Sequence, residues 1–119
     1  MKNRPFRERV RFALSGVKEA WLREKSFRTQ SSAAILVVAG LLVFRISLIW
    51  SAIVIIVIAL VLATELTNTA LEAMIDRLHP ERHSEIRAAK DMAAGSVLLA
   101  GIAAVVVGLL MLFAIYSTW

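Results

Sequence analysis

Hydrophobic residues in this 119-residue chain occur in long runs and do not alternate with polar residues. No charged side chain lies within 29–44, 46–64 or 92–119. A helix of about 20 apolar residues is long enough to cross the hydrocarbon core of a bilayer. The pattern predicts three spanning helices, at about 32–44, 48–64 and 92–116. The first is short, and needs neighbouring residues, tilt or local thinning to complete its span.

A different pattern precedes the first run. Apolar residues recur at helical spacing, and Lys and Arg cover much of the remaining surface. The apolar positions are Phe6, Val10, Leu14, Val17 and Trp21. We therefore predict an amphipathic helix over about 6–28 that lies on the membrane surface. If this helix is continuous, Glu24 returns to the apolar stripe, so its carboxylate points into the protein or the membrane edge.

The second span has no residue that would stop it at the membrane surface. Neither Gly nor Pro occurs from 48 to 79, so the helix is expected to continue to about Leu78, with Pro80 ending it. The third helix is expected to begin near Glu85. The predicted fold is an all-α membrane protein, a single domain over 1–119 with three transmembrane helices and an N-terminal surface helix.

Charge adds an orientation to this picture. Of the 14 Lys and Arg residues, nine precede Ser31, four lie between the second and third runs, and none follows the third. The positive-inside rule then places the N-terminus and the second connection in the cytoplasm. All nine acidic residues fall on that same side. Because the basic residues flank membrane spans, the net charge of +5 indicates topology and not nucleic-acid binding. The absence of Cys excludes disulfides and thiol chemistry.

Polar residues form one stripe where the second span leaves the membrane. They lie within an arc of about 80° on a helical projection, and are Glu65, Asn68, Glu72 and Asp76. One interpretation is a solvated helix end, with the acids paired to Arg77, Arg82 or Lys90. A shared face favours a polar site instead, because solvation alone requires no common face. Carboxylate and amide oxygens suit Mg²⁺, whereas the two His residues have no matching ligands for zinc.

The order of groups along this helix fits phosphoryl transfer to a lipid. Glu65 lies nearest the bilayer, where it can meet a lipid hydroxyl, and Glu72 lies further out, where a nucleotide can enter. Lys90 suits a phosphate as a point charge, although a snorkelling interface lysine is the alternative. No Gly-rich phosphate loop is present, so such a kinase must use another architecture.

Several segments together resemble the prokaryotic diacylglycerol kinase family. They are Glu-Leu-Thr-Asn-Thr-Ala-Leu-Glu at 65–72, Asp76-Arg77, Ala89-Lys90-Asp91-Met92, and Ala20-Trp21 followed by Glu24 and Phe27-Arg28. The resemblance covers roughly 10–115. It implies a homotrimer in the inner membrane, with an active site on the cytoplasmic side. It also implies transfer of the γ-phosphate of ATP to diacylglycerol.

The resemblance also implies residue roles. Glu65 matches the catalytic base, Asn68 the amide that organises the site, and Glu24 and Glu72 the Mg²⁺ ligands. The nucleotide-binding positions match Glu81, His83, Lys90 and Asp91. The lipid-binding positions match Trp21, Phe27 and Arg28.

Some positions depart from the best-studied branch of the family and leave the acceptor open. Gln30 replaces an acid and Ala94 a serine, and the stretch 93–96 resembles undecaprenol kinases. The N-terminal arginine that contacts nucleotide matches either Arg7 or Arg9. Undecaprenol kinase is therefore the alternative. A small transporter is disfavoured because no charge lies mid-span, and a purely structural subunit would tolerate loss of Glu65.

Small residues four apart form a ridge along the third span. They are Ser96, Ala100, Ala104 and Gly108. Such a ridge lets helices approach closely, either within one chain or between subunits.

Overall fold

The computed structural model describes residues 3–79 and 83–117, most of which are helical. The helices are α1 (Phe6–Arg23), α2 (Lys25–Val43), α3 (Leu48–Leu78) and α4 (Ser84–Ser117). The last three are long and apolar enough to cross a membrane. The predicted all-α architecture of three spanning helices behind an N-terminal helix is confirmed.

The boundary between the first two helices differs from the prediction. The first helix ends at Arg23 and not near 28, and the next begins at Lys25 and not near 32. Glu24 separates them in an extended conformation, with φ −115° and ψ 115°. Its N–H donates to the Ala20 carbonyl, while its own carbonyl accepts from the Arg28 N–H. Glu24 therefore does not continue the apolar stripe of α1 but forms the corner between two helices.

The chain turns back sharply between α2 and α3. Arg45 adopts a left-handed conformation with φ 52°, and the Ile46 N–H donates to the Leu41 carbonyl. Ser47 then caps α3 by accepting from the Trp50 N–H at 3.4 Å. These contacts form the short turn that the sequence predicts here.

Helix α3 is longer than the hydrocarbon core of a bilayer is thick. Its 31 residues correspond to about 46 Å, against about 30 Å of hydrocarbon. The helix ends at Leu78, as predicted, whereas Pro80 lies outside the described residues. The polar stripe of α3 therefore belongs to a continuous extension of a spanning helix.

Helix α3 is also the centre of the fold. Helix α4 packs along it most extensively, α2 packs on it as well, and α1 contacts both α2 and α3. Ala100, a member of the small-residue ridge of α4, is buried where α4 packs on α3. A Cβ added at Gly108, further along the same ridge, would meet open space. Most large apolar side chains point outward from the described chain, as membrane spans require.

Candidate active site

Glu65 is the buried charged residue of the described chain. It lies on α3 with 5% of its surface exposed, directly after the apolar part of that helix. Its Oε1 accepts a hydrogen bond from Ser26 Oγ at 3.1 Å. Burying a carboxylate is unfavourable unless polar partners compensate. One hydroxyl is a small compensation, so the position is costly for a residue with only a structural role.

Asn68 lies about one turn further along the same stripe. Its Oδ1 is buried and has no hydrogen-bond partner among the described residues. An unsatisfied buried acceptor costs roughly 1–3 kcal/mol. A ligand donor or a metal ion would offset this cost, because an amide oxygen is a hard ligand. The orphaned oxygen is the structural observation that fits a bound Mg²⁺ or a polar substrate at this place.

Two further carboxylates could serve as ligands of a metal ion. Glu72 is half-buried on α3, and Glu24 is half-buried at the corner between α1 and α2. Neither carboxylate forms a hydrogen bond or ion pair within 3–79 and 83–117. In the described part of the chain, no three His, Asp or Glu side chains lie close enough together to hold a metal ion by themselves. A pair of carboxylates with the Asn68 amide still suits Mg²⁺, which usually takes one or two carboxylates and completes its shell with water and phosphate.

The structure joins α3 to α4 through a charged pair at the end of the stripe that is furthest from Glu65. Lys90 Nζ donates to Asp76 Oδ1 at 2.7 Å. This hydrogen bond, aided by the negative charges of Asp76 and Glu72 and opposed by partial desolvation, raises the pKa of Lys90 above its ordinary value. Lys90 precedes the uncharged part of α4 and is therefore a persistent cation at the membrane edge, close to the carboxylate stripe.

Of the other predicted nucleotide contacts, His83 and Asp91 lie within the described residues. His83 caps α4, because its Nδ1 accepts from the Glu85 N–H at 3.1 Å. Asp91 is exposed on the first part of α4. Glu81 lies outside the described residues. The structure thus brings Lys90 near the stripe and leaves His83 in a helix-capping position.

The three predicted lipid contacts occupy different environments. Phe27 is 3% exposed and packs inside the helix interface. Arg28 Nη1 donates to the carbonyl oxygens of Trp21 and Leu22, at 2.6 and 3.3 Å. Trp21 is partly exposed at the end of α1. Of the three, only Trp21 therefore presents its side chain to the surroundings without an established partner.

Trp21 and Arg28 line an open groove of about 630 Å³ along α2. Its other lining residues are Lys25, Thr29, Ser32, Ala33 and Leu36. On a helical projection this face lies roughly opposite Phe27 and Leu41, the buried residues of α2. The groove therefore opens on the side of α2 that faces away from α3.

Comparison with known proteins identifies the family. A family model described as prokaryotic diacylglycerol kinase matches residues 11–112. The chain belongs to the prokaryotic diacylglycerol kinase family. This kinase is 32% identical over 102 residues to the diacylglycerol kinase of Escherichia coli K12, a match covering 86% of this chain and 84% of that protein.

Two further relatives are named as kinases of two different lipids. A diacylglycerol kinase of Synechocystis is 37% identical over 99 residues, covering 82% of this chain but 57% of that longer protein. The undecaprenol kinase of Bacillus subtilis is 34% identical over 96 residues, covering 80% of this chain and 77% of that protein. The family match includes every candidate site residue from Trp21 to Asp91, whereas Arg7 and Arg9 precede it. The chain is therefore an enzyme, a multi-pass membrane kinase that acts on lipid.

Sequence reasoning missed one polar contact of this kinase. Ser26 was not among the candidates, although it is the hydrogen-bond partner of Glu65. Only its position two residues after Glu24 could have indicated it. A lone Ser in a first helical turn is too common to mark a site.

Proposed function

We propose that this kinase transfers the γ-phosphate of MgATP to the hydroxyl of diacylglycerol and so produces phosphatidic acid. The observation that carries the proposal is the buried carboxylate of Glu65 at the membrane edge, one turn from the orphaned Asn68 oxygen. A lipid hydroxyl reaches this level without leaving the bilayer. A nucleotide reaches Glu72 and Lys90 from the aqueous side.

The proposed reaction assigns one task to each group. Glu65 takes the proton from the acceptor hydroxyl while the oxygen of that hydroxyl forms a bond to the γ-phosphorus of ATP. The bond between that phosphorus and the β–γ bridging oxygen breaks, and ADP leaves. Lys90 compensates charge on the transferring phosphoryl group. Glu24, Asn68 and Glu72 would hold Mg²⁺, which when bound neutralises and orients the phosphates.

The charge distribution and the exposed apolar surfaces support a proposed membrane orientation and oligomeric state. The concentration of Lys and Arg on the side of the stripe supports a multi-pass inner-membrane protein with a cytoplasmic active site. The open apolar surfaces and the resemblance to a trimeric family support a homotrimer. Partner copies would then enclose a site that one chain leaves open.

Undecaprenol is the second candidate acceptor. The Bacillus subtilis relative is named for that activity, and its 34% identity is close to that of the diacylglycerol kinases. Both lipids offer a single hydroxyl at the membrane surface, so the same chemistry serves either. Purified kinase supplied with each lipid separately distinguishes them, and we expect the higher kcat/KM with diacylglycerol. A preference for undecaprenol would change the acceptor and keep the mechanism.

Glu65→Gln tests the base directly. The change keeps size and burial but removes the proton acceptor, so we expect phosphorylation of either lipid to fall by at least about 100-fold, within the range typical of a general base. Glu19→Gln is the matched control, because Glu19 is an exposed residue whose carboxylate pairs with Arg23 on the same helix. Normal activity of Glu65→Gln, in protein that assembles like the parent, would contradict the proposed role.

A further inference from the structure

A single hydrogen bond connects the first turn of α2 to the buried carboxylate of α3. Ser26 Oγ donates to Glu65 Oε1 at 3.1 Å, although the two residues are 39 positions apart. Within 3–79 and 83–117 it is the only hydrogen bond that the Glu65 carboxylate makes, and the only side-chain hydrogen bond between α2 and α3. The family resemblance assigns Ser26 no role.

The bond leaves the two carboxylate oxygens of Glu65 in different situations. Oε1 is engaged by Ser26, whereas Oε2 has no partner in the described part of the chain. The terminal torsion of a Glu side chain is broad and roughly two-fold, so an untethered carboxylate samples many orientations. A hydrogen bond to one oxygen restricts that torsion and leaves the other oxygen available. A general base works best when it is held within hydrogen-bond reach of the proton that it accepts.

We propose that Ser26 is a positioning residue for Glu65, holding Oε1 so that Oε2 faces the hydroxyl of the lipid acceptor. This inference rests on the proposed role of Glu65 as the base. The acceptor proton moves to Oε2, while Ser26 keeps its own proton and continues to donate it to Oε1. Ser26 touches none of the reacting atoms.

The location of Ser26 supports a role beyond packing. The residue is exposed, whereas its neighbour Phe27 is buried and supplies the packing of this turn. Alanine at an exposed helical position favours the helix and creates no cavity. Loss of the hydroxyl should therefore leave the fold intact and affect the carboxylate alone.

The test compares three variants of the purified full-length kinase in detergent or lipid. Ser26→Ala should lower kcat about ten-fold, equivalent to about 1.4 kcal/mol, with KM for ATP and lipid and the melting temperature unchanged. Ser26→Thr keeps the hydroxyl and should retain most of the parental kcat. Ser31→Ala is the matched control, because Ser31 lies on the same helix and forms no hydrogen bond through its side chain in the described residues.

Each alternative result is decisive. Parental kcat in Ser26→Ala would overturn the inference, and so would equal losses in the Ala and Thr variants or a rise in KM without a fall in kcat. The Glu65→Gln variant is assayed in parallel. If Glu65→Gln is inactive while Ser26→Ala is normal, only the positioning role fails. If Glu65→Gln is active, the proposed base fails.

Discussion

Arg28 holds the corner between α1 and α2 that carries Glu24, so its removal should lower the apparent affinity for Mg²⁺ before it weakens lipid binding. Its Nη1 donates to the carbonyl oxygens of Trp21 and Leu22, at 2.6 and 3.3 Å. These carbonyls lie in the last turn of α1, where a helix leaves its acceptors without backbone partners. An arginine from the first turn of α2 therefore closes the end of α1 and holds the extended Glu24 between them.

The two hydrogen bonds of Arg28 set the free energy by which it stabilises the corner. Hydrogen bonds from a charged donor contribute roughly 1.5–3 kcal/mol, but both lie near the surface, where water can replace the lost donor. We therefore take about 1.4 kcal/mol for the pair, which corresponds to a factor of about ten in an equilibrium. Arg28→Ala should lower the equilibrium constant for the placed corner by about that factor. If Glu24 binds Mg²⁺, the apparent affinity for Mg²⁺ falls with the fraction of chains that keep the corner in place, by at most that factor.

The assay is lipid phosphorylation titrated with Mg²⁺ at saturating ATP and lipid. Arg28→Ala should need more Mg²⁺ for half-maximal activity, by up to about ten-fold, the limit set by the equilibrium factor above. Arg28→Lys, which keeps a donor but not the guanidinium geometry, should fall between it and the parent. Arg23→Ala is the control, because Arg23 is exposed and pairs only with Glu19. An unchanged Mg²⁺ requirement with a raised KM for lipid would refute this reasoning and support the lipid-contact role that the family resemblance implies.

Two further outcomes concern the packing around α3 and α4. Asp76→Asn removes the main cause of the raised pKa of Lys90. The interaction that raises the pKa of Lys90 stabilises the folded state. This stabilisation is fully present below the pKa of lysine in the unfolded chain, about 10.4, and is lost as the pH rises through the higher pKa of the folded state. The variant should therefore melt slightly below the parent from pH 7 to 10, with the difference closing at higher pH, and a constant difference would contradict this origin. A Cβ added at Gly108 would have nothing within 4 Å in the described chain. If another copy of the chain packs against the small-residue ridge, Gly108→Leu should leave the helices intact but lower the fraction of cross-linked oligomer. An unchanged fraction would show that this ridge does not lie between copies.

Local sequence signals were sufficient for the long helices. No Gly or Pro interrupts α3, and its end at Leu78 and the start of α4 at Ser84 agree with the predicted Leu78 and Glu85. The break at Glu24 had no such signal. Neither Gly nor Pro lies near it, and the extended residue is held by the Arg28 side chain across the corner. A break stabilised by contacts between two helices cannot be read from the periodicity of either one.

The candidate site shows why the contacts between helices could not be predicted from the sequence. Helical periodicity places Glu65, Asn68 and Glu72 on one face of α3, but it does not say what that face meets. In a membrane the apolar faces of helices gain little by choosing each other over lipid, so hydrophobic pattern alone specifies neither partner nor register. Two polar contacts join the helices at this face, Ser26 with Glu65 and Lys90 with Asp76. Both lie on the stripe of α3, one reaching it from α2 and the other from α4. The periodicity of a single helix cannot show these contacts, because each of them depends on side chains from two helices.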